Sequence, residues 1–250
     1  MNKGVIIVLG MGEVGQPLFR ILSKTFDCVA VDIESVEIAE PCDVLHVCYP
    51  FQAPDFVGIT ARYLEKYDPL LTMIHSTVAP GTTRRIHKAA PERALVYSPV
   101  RGKHARMEAE MLRYKKFVGG FDSKTVEEAH RHLRAAGFQT DTFRTPDIAE
   151  LSKLLETTYF GVLIGWAQEV ERLAAQHDGS FDEVVSFIKE VDFLPSHVFP
   201  GVIGGHCVMP NIAILRQHFQ SDFLEAVVNS NEAKAKATVT EPKLEPTLND

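Results

Sequence analysis

The chain has 250 residues, of which 45% are hydrophobic and 24% charged, and a formal net charge of −7. That length suffices for one large or two smaller cores, and the acid excess speaks against a broad nucleic-acid surface, which needs a basic face. No run approaches the roughly 20 apolar residues of a membrane span. The cysteines (Cys28, Cys42, Cys48 and Cys207) have no metal-ligand spacing, so reduced thiols in a soluble, cytoplasmic protein are expected.

Val5 to Leu9 is a continuous apolar, β-branched run, read as a strand buried on both faces. The short apolar run after Lys3 breaks into glycines rather than a cleavage site, which argues against a signal peptide. The run ends in Gly10-Met11-Gly12-Glu13-Val14-Gly15, and a helix pattern follows with Leu18, Ile21 and Leu22 on one face. The three glycines suit a tight turn, close approach of backbone to a pyrophosphate, and close helix–strand packing. A helix N-terminus then favours the phosphates through its free N–H groups and dipole. A second strand, Cys28 to Val31, ends in Asp32, whose carboxylate accepts hydrogen bonds from both ribose hydroxyls and repels a 2′-phosphate. The cofactor expected is therefore NAD.

The alternation continues through a third strand at Asp43–Pro50, a helix near Phe56–Tyr67 and a fourth strand at Leu71–Thr77. Ala94–Tyr97 and Lys116–Val118 read as further strands, and Ser123–Ala136 as a helix. Strands alternating with helices predict a Rossmann-type, doubly wound parallel sheet with ligands beyond the strand C-terminal ends. Tyr49, Pro50, Ser76, Thr77, Ser98 and Pro99 would face that cleft. Thr77, a hydroxyl at a strand end, is a candidate site residue, although a threonine there can equally satisfy its own turn. His46, His75, His87, His104, His130, His132 and His177 show no ligand spacing, and no metal is expected.

Thr145-Pro146-Asp147 starts a helix: an N-cap, proline at the first position, and an acid at the positive end of the dipole. Apolar residues at 148, 151, 155, 159, 162, 166, 170 and 173 extend it to about 30 residues, roughly 45 Å. Gly161 and Gly165 inside it predict close approach of another backbone. Its length and apolar surface predict a homodimer formed through it, the alternative being a monomer whose helix spans one core. Lys153 and Thr157, four apart, share a face; a lysine in a dry cleft can act as a base or steady an oxyanion. Ser180 to Glu183 is a capping box for a short helix. Gly201 to Pro210 is a glycine-rich loop carrying Cys207, a candidate nucleophile if a positive neighbour favours its thiolate, and a small buried hydrophobe otherwise. Helices are expected at Asn211–His218 and Asp222–Asn231. The domains expected are a Rossmann domain over 1–145, a helical dimerisation and catalytic domain over 146–231, and a disordered tail over 232–250.

Taken in order, these motifs resemble the UDP-glucose/GDP-mannose (nucleotide-sugar) dehydrogenase family. The matching pieces are Gly10–Gly15 with Asp32, Ser76-Thr77-Val78 with Pro80-Gly81-Thr82, and Ser98-Pro99. They continue with Ala149–Tyr159 carrying Lys153, Gly204-Gly205-His206-Cys207, and Val228–Glu232. The resemblance implies oxidation of a primary alcohol to a carboxylate with two NAD, with Thr77 beside the nicotinamide. Lys153 would steady developing oxygen charge, and Cys207 would hold the carbonyl carbon as a thiohemiacetal and then a thioester. Thr157, Gly204, Gly205, His206 and Asn211 would line the small-molecule substrate. Val100, Thr157 and Asn211 depart from the family's glutamate, asparagine and aspartate; the changes at 100 and 211 remove carboxylates that help activate water, for which His206 is a candidate substitute base. The second α/β domain expected to follow the long helix is absent from these 250 residues. Two alternatives stay open: a single-step dehydrogenase of the β-hydroxyacid type using Lys153, and a non-catalytic NAD-binding protein.

Overall fold

The computed structural model describes residues 4–32, 37–192, 199–205 and 207–240. They divide into two compact units, Met1–Lys153 and Leu154–Asp250.

The first unit is built on β1 (Val5–Leu9), α1 (Gly15–Leu22), β2 (Cys28–Val31), β3 (Cys42–Val47), α2 (Phe56–Tyr67), β4 (Leu71–Ile74) and α3 (Thr82–Ala89). It continues with β5 (Leu95–Tyr97), α4 (Met107–Arg113), β6 (Lys116–Gly120), α5 (Ser123–Ala135) and β7 (Thr140–Phe143). The described strands form one sheet in the order β2-β1-β3-β4-β5-β6-β7. Strand side chains alternate between faces, so β1 feeds two cores at once. Ile6 and Val8 pack with Leu18, Ile21, Leu22, Met111 and Leu133 on one side. Val5, Ile7 and Leu9 pack with Phe56, Leu64, Ile86 and Ala149 on the other. Helices on both faces explain why β1 is apolar at every position, each such side chain contributing about 1.5–3 kcal/mol of burial.

The sheet is the expected doubly wound one, mostly parallel, with one reversed pairing. β6 runs antiparallel to β5, pairing Val96 with Gly120 and Tyr97 with Gly119, while the other pairs are parallel. The reversal follows from the connection, since α4 returns the chain to the edge where β5 ended. The start of β6 therefore lies at the same edge as the end of β5.

Pro146–Ala175 forms one 30-residue helix, α6, opened by a hydrogen bond from Ile148 N–H to Thr145 Oγ1 (3.3 Å). The division between units falls within it, after Lys153. In the second unit α7 (Phe181–Lys189) begins with the expected capping box between Ser180 and Glu183. Two more helices follow, α8 (Val208–His218) and α9 (Asp222–Thr240). The glycines of α6 are filled by side chains, not by a second backbone. A Cβ on Gly161 would lie 2.6 Å from Val208 Cγ1 and 3.4 Å from Ile212 Cδ1. At Gly165 the nearest groups are Val227 Cγ1 and Ser230 Oγ, and that hydroxyl donates to the Gly165 carbonyl. The disorder expected from Glu232 onward is also corrected, because α9 continues to Thr240; residues 241–250 lie outside the described part.

Candidate functional site

The Gly10–Gly15 turn is shaped by what surrounds each glycine. Gly10 has φ +87°, a region closed to most side chains, and a Cβ there would sit 2.6 Å from Tyr49 N. A Cβ on Gly15 would lie 1.8 Å from the Gly10 carbonyl oxygen, so α1 begins hard against the end of β1. Gly12 is different: a Cβ there meets nothing within 4 Å. The middle of the turn is open, and Gly12 and Glu13 are exposed, with Met11 and Val14 half-buried. The N-terminus of α1 has no side-chain cap and no acid in its first turn, which suits an incoming anion. Asp32 is exposed just past β2. These features fit the pyrophosphate and adenosine ribose of a dinucleotide.

Further along the same edge, the loops after β3 and β4 are tied together. Ser76 Oγ donates to the Tyr49 carbonyl (2.6 Å), and Tyr49 Oη pairs with Thr60 Oγ1 (2.5 Å). Burial is the largest influence on the Tyr49 phenol and raises it above its ordinary value. Pro50 is exposed, and Thr77, half-buried, opens the loop that leads to α3.

Glu150 was not singled out by the sequence, and it anchors this loop to α6. Its side chain is fully buried and accepts from Gly81 N–H (2.6 Å), Thr83 N–H (2.7 Å) and Thr83 Oγ1 (2.6 Å). Two of the three donors are backbone N–H groups at the start of α3, which a carboxylate satisfies well, and the third is the Thr83 hydroxyl. Burial outweighs them and raises the Glu150 carboxyl above its ordinary value. Arg84 forms an ion pair with Asp147 one turn earlier on α6 (2.8 Å). The first turns of α6, including half-buried Lys153 three residues beyond Glu150, are thus fastened to the segment that follows Thr77.

A second group was also missed. His46, His75 and His132, which show no ligand spacing along the chain, form a hydrogen-bonded chain inside the first unit. His46 Nδ1 lies 2.8 Å from His75 Nε2, and His46 Nε2 lies 3.0 Å from His132 Nε2. Lys116, 4% exposed, reaches the Ser98 and Pro99 carbonyls (2.8 and 3.1 Å). Burial is the leading cause in each case: it holds Lys116 down at about 7, His132 at about 4, and His46 and His75 well below the ordinary imidazole range. The available signal was a histidine within the apolar run Val44-Leu45-His46-Val47.

In the second unit Cys207 stands at the N-cap of α8, half-buried. Asn211, one turn on and buried, donates from Nδ2 to Thr157 Oγ1 (2.7 Å), so two family departures, Thr157 and Asn211, meet each other. The loop before Cys207 is held by α6 and α9. Gln168 Nε2 donates to the Gly201 carbonyl (2.6 Å), and Asn231 Oδ1 and Nδ2 bracket Ile203 N–H and C=O (2.7 and 3.1 Å). Gly204 and Gly205 are exposed, and a Cβ on either would meet nothing within 4 Å. His206 lies outside the described residues. Among the described residues, no group of three or more His, Cys, Asp or Glu is placed to hold a metal ion, and no helix is long and apolar enough to cross a membrane.

The chain is 25% identical over 257 residues to UDP-N-acetyl-D-mannosamine dehydrogenase of Methanocaldococcus jannaschii, covering 81% of this chain and 59% of that protein. It spans less than two thirds of that relative. The structure of UDP-D-ManNAc dehydrogenase from Pyrococcus horikoshii superposes with a TM-score of 0.81 at 20% identity, over 94% of this chain and 70% of that one. The 3-hydroxyisobutyrate dehydrogenase of Mycobacterium tuberculosis shares the fold (TM-score 0.68, 15% identity) over 95% of this chain and 94% of that one. The sequence model for the UDP-glucose/GDP-mannose dehydrogenase family, central domain, matches residues 147–233. The long helix and the helices that follow it thus make up the part of the chain that resembles the central domain of the UDP-glucose/GDP-mannose dehydrogenase family, and they follow a Rossmann-type sheet in the sequence.

Proposed function

We propose that the protein is an NAD-dependent oxidoreductase acting on a CH–OH group, with a sugar nucleotide of the UDP-hexose class as substrate. The observation that carries this reading is the open turn at Gly12 beside the uncapped start of α1, in a chain whose 147–233 region matches a dehydrogenase family. When bound, NAD supplies the hydride acceptor. Asp32 holds the adenosine ribose, and Tyr49, Pro50, Ser76 and Thr77 border the nicotinamide end. Lys153 steadies negative charge developing on the substrate oxygen. Once the alcohol has lost its first hydride, Cys207 Sγ attacks the aldehyde carbon to give a thiohemiacetal, a carbinol whose C–H hydrogen can leave as hydride to a second NAD; water then cleaves the resulting thioester to the carboxylate and the free thiol. Gly204, Gly205, His206, Thr157 and Asn211 line the substrate.

The test is NADH formed per substrate consumed, with UDP-N-acetyl-D-mannosamine and UDP-glucose as first candidates. Two NADH per substrate, with Cys207→Ser and Lys153→Ala each slowing turnover roughly 10²–10⁴-fold, is the expected result. One NADH, with Cys207→Ser fully active and Lys153→Ala inactive, selects the second reading, a single-step β-hydroxyacid-type dehydrogenase. The end-to-end overlap with the Mycobacterium tuberculosis fold favours that alternative. NADH binding without turnover on either substrate class would sink both.

Self-association through α6 belongs to the same reading. Tyr159, Phe160 and Trp166 are 60%, 52% and 61% exposed on it, a large apolar area for a helix facing water. A dimer mass in sedimentation is expected, with Trp166→Asp shifting it to monomer. A monomeric wild type removes this part.

A further inference from the structure

The carbonyls of Ser98 and Pro99 pose an accounting problem. β5 ends at Tyr97, and its ladders to β4 and β6 pair no residue beyond Tyr97. The next two carbonyls are buried with no strand to receive them, and a buried carbonyl left unpaired is costly. Nor does the Ser98 side chain hold the segment: its Oγ is buried and finds no partner. The donors come instead from His75 Nδ1 to Ser98 O (2.6 Å) and from Lys116 Nζ to both carbonyls.

This contact fixes the protons of three imidazoles. A carbonyl cannot donate, so His75 carries its hydrogen on Nδ1. Buried beside Lys116, His75 is neutral, and its Nε2 is a bare acceptor. Its neighbour His46 must then donate from Nδ1, which leaves His46 Nε2 bare. His132 must in turn donate from Nε2. Each imidazole has one allowed tautomer, and the direction of the whole chain is set at Ser98. Because that end is a carbonyl, the chain cannot pass a proton onward and is no relay.

We propose that His75 and Lys116 form a two-donor clamp positioning the Ser98–Pro99 segment at the cofactor edge, with His46 and His132 locking His75 in the tautomer that can hold it. The role rests on the reading that NAD lies along the strand ends, beside Thr77. These are positioning residues, and none touches the reacting atoms. The other titratable groups influencing Lys116 are Cys48 after β3, Arg101 after β5 and Lys153 on α6.

Nitrogen-15 NMR of the full chain near neutral pH reads the tautomers directly. His46 and His75 are expected as Nδ1–H and His132 as Nε2–H; an Nε2–H His75 overturns the clamp. NADH titration reads the positioning. His75→Asn keeps a donor toward Ser98 and should bind NADH within about twofold of wild type. His75→Leu, which removes that hydrogen bond, should weaken binding by about tenfold. His46→Phe, which frees His75 to change tautomer, should weaken it by about fivefold. If folded Leu and Phe variants bind like wild type, the positioning role is wrong. Should those variants fail to fold, wild-type tautomers and the His75→Asn affinity still decide the matter. Failure of the wild type to bind NADH instead removes the cofactor reading, an outcome the NMR result does not depend on.

Discussion

Gly12→Ala should leave the melting temperature unchanged and weaken NADH binding at least tenfold, about 1.4 kcal/mol, while Gly15→Ala should unfold the first unit. The two glycines lie three residues apart in one turn and differ in their neighbours. A methyl on Gly12 projects into open space, so stability should stay within about 0.5 kcal/mol of wild type. It occupies the volume through which a pyrophosphate would approach the backbone. A methyl on Gly15 meets the Gly10 carbonyl at 1.8 Å, with Cys48 Cβ behind it at 3.4 Å. No rotamer relieves a collision with backbone, and α1 must lift from β1 at a cost of roughly 3 kcal/mol or more. Circular dichroism and NADH fluorescence on both variants decide the matter. A Gly12→Ala protein that binds NADH normally would remove the pyrophosphate from this turn, and a fully stable Gly15→Ala protein would contradict the packing itself.

Acid should destabilise the protein well before its carboxylates titrate. Lys116 holds its proton up to about pH 10.4 when unfolded but only to about 7 when folded. Between those values the unfolded chain binds the extra proton, so stability rises with pH and the deficit is complete below pH 7. The imidazoles act with the same sign lower down. Unfolded, they take up protons below about pH 6.5. Folded, His132 does so at about 4, and burial, aided by nearby positive groups, keeps His46 and His75 neutral far below the ordinary range. Each imidazole still neutral at pH 5 costs roughly 2 kcal/mol relative to pH 8. Glu150, raised by burial, works in the opposite sense over the window just above its ordinary value. Above about pH 9 the buried thiols of Cys42 and Cys48, both held at about 12, reverse the trend, because the unfolded chain then loses protons that the folded one keeps. Urea unfolding should therefore show a maximum near pH 8–9 and a loss of roughly 6 kcal/mol by pH 5 from the three imidazoles alone, comparable with the whole stability of an ordinary domain. A flat profile across that range would mean the cluster is hydrated or otherwise paired.

The sequence disclosed those parts whose signal is local. The β1–turn–α1 unit is written in consecutive apolar and glycine residues, and α6 in its apolar spacing and the Thr145 cap. What stayed hidden depends on partners distant in the chain. Glu150 looks like any helix acid until Gly81 and Thr83 arrive from 67–69 residues away to meet it. His46, His75 and His132 come from β3, the residue just past β4 and α5, and no spacing rule links them. The helix through residues 232–240 was missed for a related reason: its composition is polar, and composition describes a segment in isolation.

The reversed strand β6 has a practical consequence for rebuilding this molecule. In β1 to β5 the connection leaving each strand borders the cofactor edge, whereas in β6 it is the connection entering the strand, residues 114–115. Peptide inserted there should disturb nucleotide affinity through Lys116. The exit at Phe121–Asp122, which leads into α5, opens at the far rim, where tags, labels or added modules should be tolerated without affecting the cofactor.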